Sequence, residues 1–220
     1  MINERADIKK ILDTLLINFK DASNNISQNT HIESFPKVDE WRYSKGDFFN
    51  PIPYRSEIDG FNSPKLLKKK YDSPFEAIEK GNFSTAFNNN HPTIIIAPKE
   101  KSCNFISTSL YGEYLSSDIA NVHHIDLPYK DSVKNLPRLN GYGYLSKEKD
   151  GSLVSIIVGR NNNYSINIIE AIDNLPSKET AYASGWADDI EYHYHHDNNG
   201  LFKITTHAKN GGLAEIWSRS

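Results

Sequence analysis

Cys103 is the only cysteine among 220 residues, and His124 follows it after 124 − 103 = 21 positions, with His123 beside it. A thiol that titrates near ~8.5 is only slightly ionised at neutral pH; an adjacent imidazole can hold it as thiolate and then protonate a leaving amine. That pairing serves amide hydrolysis, deamidation and transglutamination. It requires a loop that ends at Cys103, a strand leaving it, and a hairpin that returns a histidine to its side. A second set is Tyr192-His193-Tyr194-His195-His196. Strand alternation puts His193 and His195 on one face, with His207 across a turn, and such a His-x-His pair plus a third ligand can hold a metal. The plainer reading is rim histidines on an exposed hairpin, so neither a metal nor another cofactor is expected.

The elements that must position these residues can be read from periodicity. Ile8, Ile11, Leu12, Leu15, Leu16 and Phe19 recur at helical spacing, opposite Lys9, Lys10 and Asp13, which predicts an amphipathic helix over 5–20. From 21 to about 64 the chain is rich in Asn, Ser, Pro and aromatics and is punctuated by Pro36, Pro51, Pro53 and Pro64, which predicts packed but irregular coil. Ser73-Pro74-Phe75-Glu76 has the form of a capping box, giving a short helix over 74–80 before Gly81.

Beyond Asn88-Asn89-Asn90 the apolar period becomes two. Strands are expected at 93–97, 104–110, 119–127, 142–145, 153–158, 164–172, 190–195, 201–206 and 213–217, separated by turns such as Asp150-Gly151 and Asn198-Asn199-Gly200. The expected fold is therefore one α+β domain. Residues 1–90 are its helical and irregular part; 91–220 form a β-sandwich or a mixed, mostly antiparallel sheet with the N-terminal helices packed on it.

Composition bounds the partners. Lys and Arg number 25 against 28 Asp and Glu, a net charge of −3, so no chain-wide cationic field favours nucleic acid. Lys65-Leu66-Leu67-Lys68-Lys69-Lys70 is a local basic cluster that reads as a solvated face. Met1-Ile2-Asn3-Glu4-Arg5 opens no apolar leader, and no window approaches the roughly 20 apolar residues of a membrane span. A monomer is expected, either cytoplasmic or exported without a signal peptide.

Val122-His123-His124-Ile125-Asp126-Leu127-Pro128, following a lone cysteine that opens a strand, resembles the catalytic hairpin of the glutamine deamidase toxins, the Burkholderia lethal factor and cytotoxic necrotizing factor group. The resemblance covers about 25 residues, and Glu100-Lys101-Ser102-Cys103 stands where that group usually has Leu-Ser-Gly-Cys. It implies that Cys103 is the nucleophile and His124 the base. The substrate would be a glutamine side chain of a target-cell protein, attacked in the target-cell cytosol, with no cofactor. The residues alone leave open whether His123 or His124 is the base and what orients it.

Tyr54-Arg55 with Ser107-Thr108-Ser109 resembles the NAD-holding elements of mono-ADP-ribosyltransferase toxins, for which Glu148, Glu170 or Glu191 would have to supply the catalytic acid. His123-His124-Ile125-Asp126 with Asn135 resembles an HNH nuclease, but no histidine stands between Asn135 and Glu191 to complete its metal site. A reading from a different class is a non-catalytic β-rich binding module in which Cys103 is inert.

Overall fold

Ile8, Leu12, Leu15 and Phe19 form the buried stripe of helix α1 (Ala6–Asn25) in this computed structural model. Each such side chain stabilises the packed helix by about 2 kcal/mol. The helix passes its expected end at residue 20 because the next residues contain no Gly or Pro, and Ala22 still packs on the core. The structure describes residues 1–26, 38–101, 103–112, 119–129, 135–207 and 211–219; Pro36 of the expected coil and Ser102, which precedes the cysteine, lie outside them.

After α1 come β1 (Glu40–Lys45), α2 (Arg55–Ile58), β2 (Lys65–Leu66) and α3 (Pro74–Glu79). The expected N-terminal cap of α3 forms, with the return bond moved by one residue: the Ser73 hydroxyl accepts from the Glu76 N–H at 3.2 Å, and the Glu76 carboxylate accepts from the N–H of Asp72, not of Ser73, at 2.9 Å. The remaining strands are β3 (Phe83–Asn88), β4 (His91–Ile96), β5 (Phe105–Tyr111), β6 (Ile119–Pro128), β7 (Arg138–Lys147), β8 (Leu153–Gly159), β9 (Tyr164–Ile172), β10 (Leu175–Ala183), β11 (Ile190–Asp197), β12 (Gly200–His207) and β13 (Leu213–Ser218). Together they form a single sheet of 13 strands in the order β13 through β3 and then β1 and β2, with antiparallel neighbours throughout.

The mostly antiparallel sheet carrying a helix is thus what forms, as one continuous layer and not as two stacked sheets. Residues 1–90 are not only helical and irregular, since they also supply β1, β2 and β3. These strands and β10 escape periodicity for a physical reason. Glu-Trp-Arg-Tyr-Ser-Lys in β1 and Leu-Pro-Ser-Lys-Glu-Thr in β10 lack an apolar alternation, and pairing with already formed neighbours makes them strands. The tight hairpins are set by pairs of residues with positive φ, Asn89-Asn90 between β3 and β4 and Asp173-Asn174 between β9 and β10.

The sheet has two differently covered faces. α1 lies across β7 and β8 on one of them, over Ile125, Leu127, Ile156 and Val158. The other is crossed by residues 46–64, whose Phe49 and Ile52 pack on the cluster of Ile95, Val122, Leu145 and Ile169, and whose Tyr54 and Ile58 pack on Tyr194 and Ile204. Eight strand spacings separate β1 from β10, about 38 Å in a flat sheet. Arg55 stands 55 − 45 = 10 residues beyond β1, in a segment shortened by turns at Gly46 and Asp47, yet it bonds to Glu179 of β10. The sheet therefore curls so that its two halves approach, and 46–64 bridges them.

Gly141 and Gly143 of β7 show how closely this face is packed. A Cβ at Gly143 would stand 2.9 Å from the Ile156 carbonyl oxygen and 2.9 Å from Ile157, and one at Gly141 would stand 3.0 Å from the His124 ring. Gly143→Ala is expected to cost about 1–3 kcal/mol in urea unfolding, because a backbone atom cannot yield as a side-chain tip can. A loss below about 0.5 kcal/mol would mean that β7 and β8 separate freely.

Candidate functional site

Cys103 and His124 are not brought together. β5 and β6 do form a hairpin, but its register sets His124 opposite Ser109, while Phe105 faces Pro128 and the Asn104 carbonyl accepts from the Tyr129 N–H. Between the Asn104 and Ser109 positions lie 109 − 104 = 5 residues, about 17 Å of strand. Cys103 sits beyond that end, half-buried, its backbone held by the Glu100 carbonyl and the Lys99 ammonium. Cys103 ends the loop before β5 and His124 lies on the adjacent β6, as expected; the register between the two strands, and hence which side chains meet, is not legible in either strand's pattern.

The side chain that does meet His124 is Ser109, whose hydroxyl lies 2.8 Å from Nδ1. Burial, with a smaller contribution from His123, holds the His124 imidazole below its ordinary value. His123 points to the helix-covered face, edge-on to Tyr142, and burial lowers it too. Neither the 46–64 cleft described below nor the cleft beside Met1 is lined by Ser109 or His124.

Arg55 does not join the Ser107-Thr108-Ser109 strand either. Ser107 donates to Asp126 at 3.1 Å, five strands from β10. The Arg55 guanidinium donates to Glu179 at 2.6 Å and lies 3.8 Å from Asp59. Of the acids weighed above, Glu148 forms a hairpin turn and Glu170 pairs with Lys178 at 2.7 Å. Glu179 carries no signal in the sequence, since it sits in a polar stretch, yet it is fully buried and also accepts from Asn167 at 2.7 Å and from the Tyr194 hydroxyl. Burial above all, and then the Glu179 carboxylate, push the Tyr194 phenol far up.

Around Arg55 the 46–64 segment encloses a cleft of about 480 Å³, bounded across the sheet by Leu175 and Pro176. Tyr54, in the left-handed region at φ 58°, turns the chain into α2 and is held by a 3.1 Å contact of its hydroxyl with His196. Two carboxylates line this cleft. Glu57 is 4% exposed, and among the described residues its carboxylate has no hydrogen bond or ion pair. Asp47 accepts from the Asn50 amide through Oδ2 at 2.9 Å, while its Oδ1 is buried without a partner. Burial pushes Asp47 up to about 6. Since Arg55 is committed to Glu179 and Asp59, the cleft carries uncompensated negative charge between apolar walls that include Ile52, Pro53 and Leu175. Such a site suits a cation with an aliphatic stem.

Of the histidines that alternation sets on one face of β11, His195 is engaged by the Thr205 hydroxyl at 2.9 Å, while His193 lies against His207, with ring centroids 5.4 Å apart. No helix among the described residues is long and apolar enough to cross a membrane. No protein-family model, curated protein or solved structure matches the chain. The likeness to the deamidase hairpin therefore rests on the quoted residues alone.

Two measurements check this geometry. His124→Ala is expected to leave the rate of Cys103 alkylation by iodoacetamide unchanged at every pH; a pH-dependent fall would restore the catalytic pair. Asp47 binds its proton more tightly in the folded chain, about 6 against an ordinary 3.8, so its ionisation destabilises the fold progressively as pH rises from about 4 to about 6. Asp47→Asn should thus raise stability at pH 7.5, by at most about 3 kcal/mol, with little gain at pH 4. An equal gain at both pH values in urea unfolding would contradict the buried carboxylate.

Proposed function

We propose that the chain is a non-catalytic β-rich binding module whose cleft under residues 46–64 takes a Lys or Arg side chain of a protein partner. The observation that carries this reading is a pair of carboxylates lining one cleft: Asp47, whose Oδ1 is buried without a partner, and Glu57, a buried residue whose carboxylate faces the cleft with no hydrogen bond or ion pair among the described residues. Burial without a counter-charge is costly for the Asp47 carboxylate, and an ammonium or guanidinium in the cleft would remove that cost. Phe48 and Leu175, 43% and 49% exposed, flank the cleft and supply apolar surface for an aliphatic stem and its neighbours. A Cys103–His124 deamidation mechanism needs those two groups in contact, which the β5–β6 register does not provide.

Side-chain analogues test the reading directly. n-Butylammonium and n-butylguanidinium should bind saturably to the full chain with Kd near about 1 mM, a value ordinary for so small a ligand. Affinity should rise between pH 5 and pH 7.5 as Asp47 ionises. Glu57→Gln should weaken binding by about tenfold or more, and Asp47→Asn should abolish the pH dependence. Absence of saturable shifts in NMR titrations at pH 7.5, or identical affinity in Glu57→Gln, would sink the proposal.

A further inference from the structure

Strand alternation and register gather a second chemical cluster on the opposite face of the sheet, where α1 does not reach. In β11, Tyr194 turns to the Glu179 side, so Glu191 and His193 share the other face. β12 pairs antiparallel with Tyr192 opposite Thr206 and His193 opposite Thr205; continued by one residue, that register brings His207 opposite Glu191. One ligand atom from each of Glu191, His193 and His207 lies within 4.8 Å of the other two. Around a tetrahedral ion with bonds near 2.0–2.1 Å, ligand atoms stand about 3.4 Å apart, so small side-chain rotations close the set.

Two further observations point to a ligand here. His193 Nε2 is buried and has no hydrogen-bond partner, an unusual state for an imidazole nitrogen. Beside the cluster opens a cleft of about 470 Å³ that Glu191 and His207 line together with Met1, Asp188 and Asp189, which leaves room on one side of the three ligands. Lys178, 3.7 Å from Glu191, is held more closely by Glu170 at 2.7 Å and can remain there when Glu191 turns to an ion.

We propose that Glu191, His193 and His207 bind one zinc-class divalent cation, with a fourth coordination position facing the cleft beside Met1. Two imidazoles and one carboxylate favour zinc and its neighbours over magnesium or calcium, which prefer all-oxygen shells. Three protein ligands with one open position is the arrangement of zinc sites that hold an exchangeable water. The ion would also cross-link β11 and β12 next to the sheet edge.

The full chain titrated with zinc chloride in a calorimeter should take up one ion with Kd near or below about 10 µM, undisturbed by millimolar magnesium, and its Tm should rise. His207→Ala, at an exposed position, and His193→Ala should each weaken uptake by about tenfold or more while leaving the Tm without zinc within a few degrees. His195→Ala should bind as the wild type does. No uptake at 100 µM zinc would overturn the proposal. So would a loss in His195→Ala as large as in His207→Ala, which would reveal only scattered surface histidines. If zinc remains bound when both His193 and His207 are replaced, the assignment to these ligands is wrong.

Discussion

The Glu179 carboxylate is fully buried, and burying a charge is stabilising only when hydrogen bonds and a counter-charge replace the lost water. Arg55, Asn167 and Tyr194 provide them. Asn167 and Tyr194 come from the strands on either side of β10, whereas Arg55 arrives from the far end of the sheet on the 46–64 segment. The same contact therefore satisfies the charge, secures the segment and holds the sheet in its curl. Without it, Glu179 would be an uncompensated ion inside the protein, and 46–64 would lose its polar anchor.

That arrangement also explains the negative character of the cleft. Arg55 is drawn to Glu179 and shared with Asp59, so it leaves Glu57 and Asp47 without a cation. The left-handed Tyr54, a conformation that costs an L-residue about 1–2 kcal/mol, is retained because its ring packs on Tyr194 and its hydroxyl meets His196. Strain at Tyr54, the half-buried Arg55 on its fully buried partner Glu179, and the two cleft carboxylates belong to one region. Each follows from the segment having to cross from β1 to β10. The histidine cluster on the other face depends on the same strands, because the alternation that turns Tyr192 and Tyr194 toward the segment turns Glu191 and His193 away from it.

Much of the scaffold was legible in the sequence, because helices and strands with one buried face announce themselves by period. The α1 stripe from Ile8 to Phe19, the Ser73–Glu76 cap and the strands from β4 onward, with β10 excepted, were legible in this way. β1, β3 and β10 were not, since they become strands by completing a ladder whose other members are already apolar. The site was legible only as residue types. Cys103 and His124 were rightly assigned to a loop and the neighbouring strand, but a shift of register along a hairpin changes every partnership without altering the pattern of either strand.

The sequence by itself determined a mostly antiparallel sheet with an amphipathic N-terminal helix, a lone thiol, a histidine-rich hairpin and no charge excess suited to nucleic acid. These properties depend on composition and on contacts between near neighbours. Only the tertiary structure decided that His124 meets Ser109 and not Cys103, that Arg55 reaches Glu179 across 179 − 55 = 124 residues, and that His207 joins Glu191 and His193. Those meetings are set by strand register and by the curl of the sheet, which arise from the summed packing of the whole molecule and leave no trace in the local order of residues.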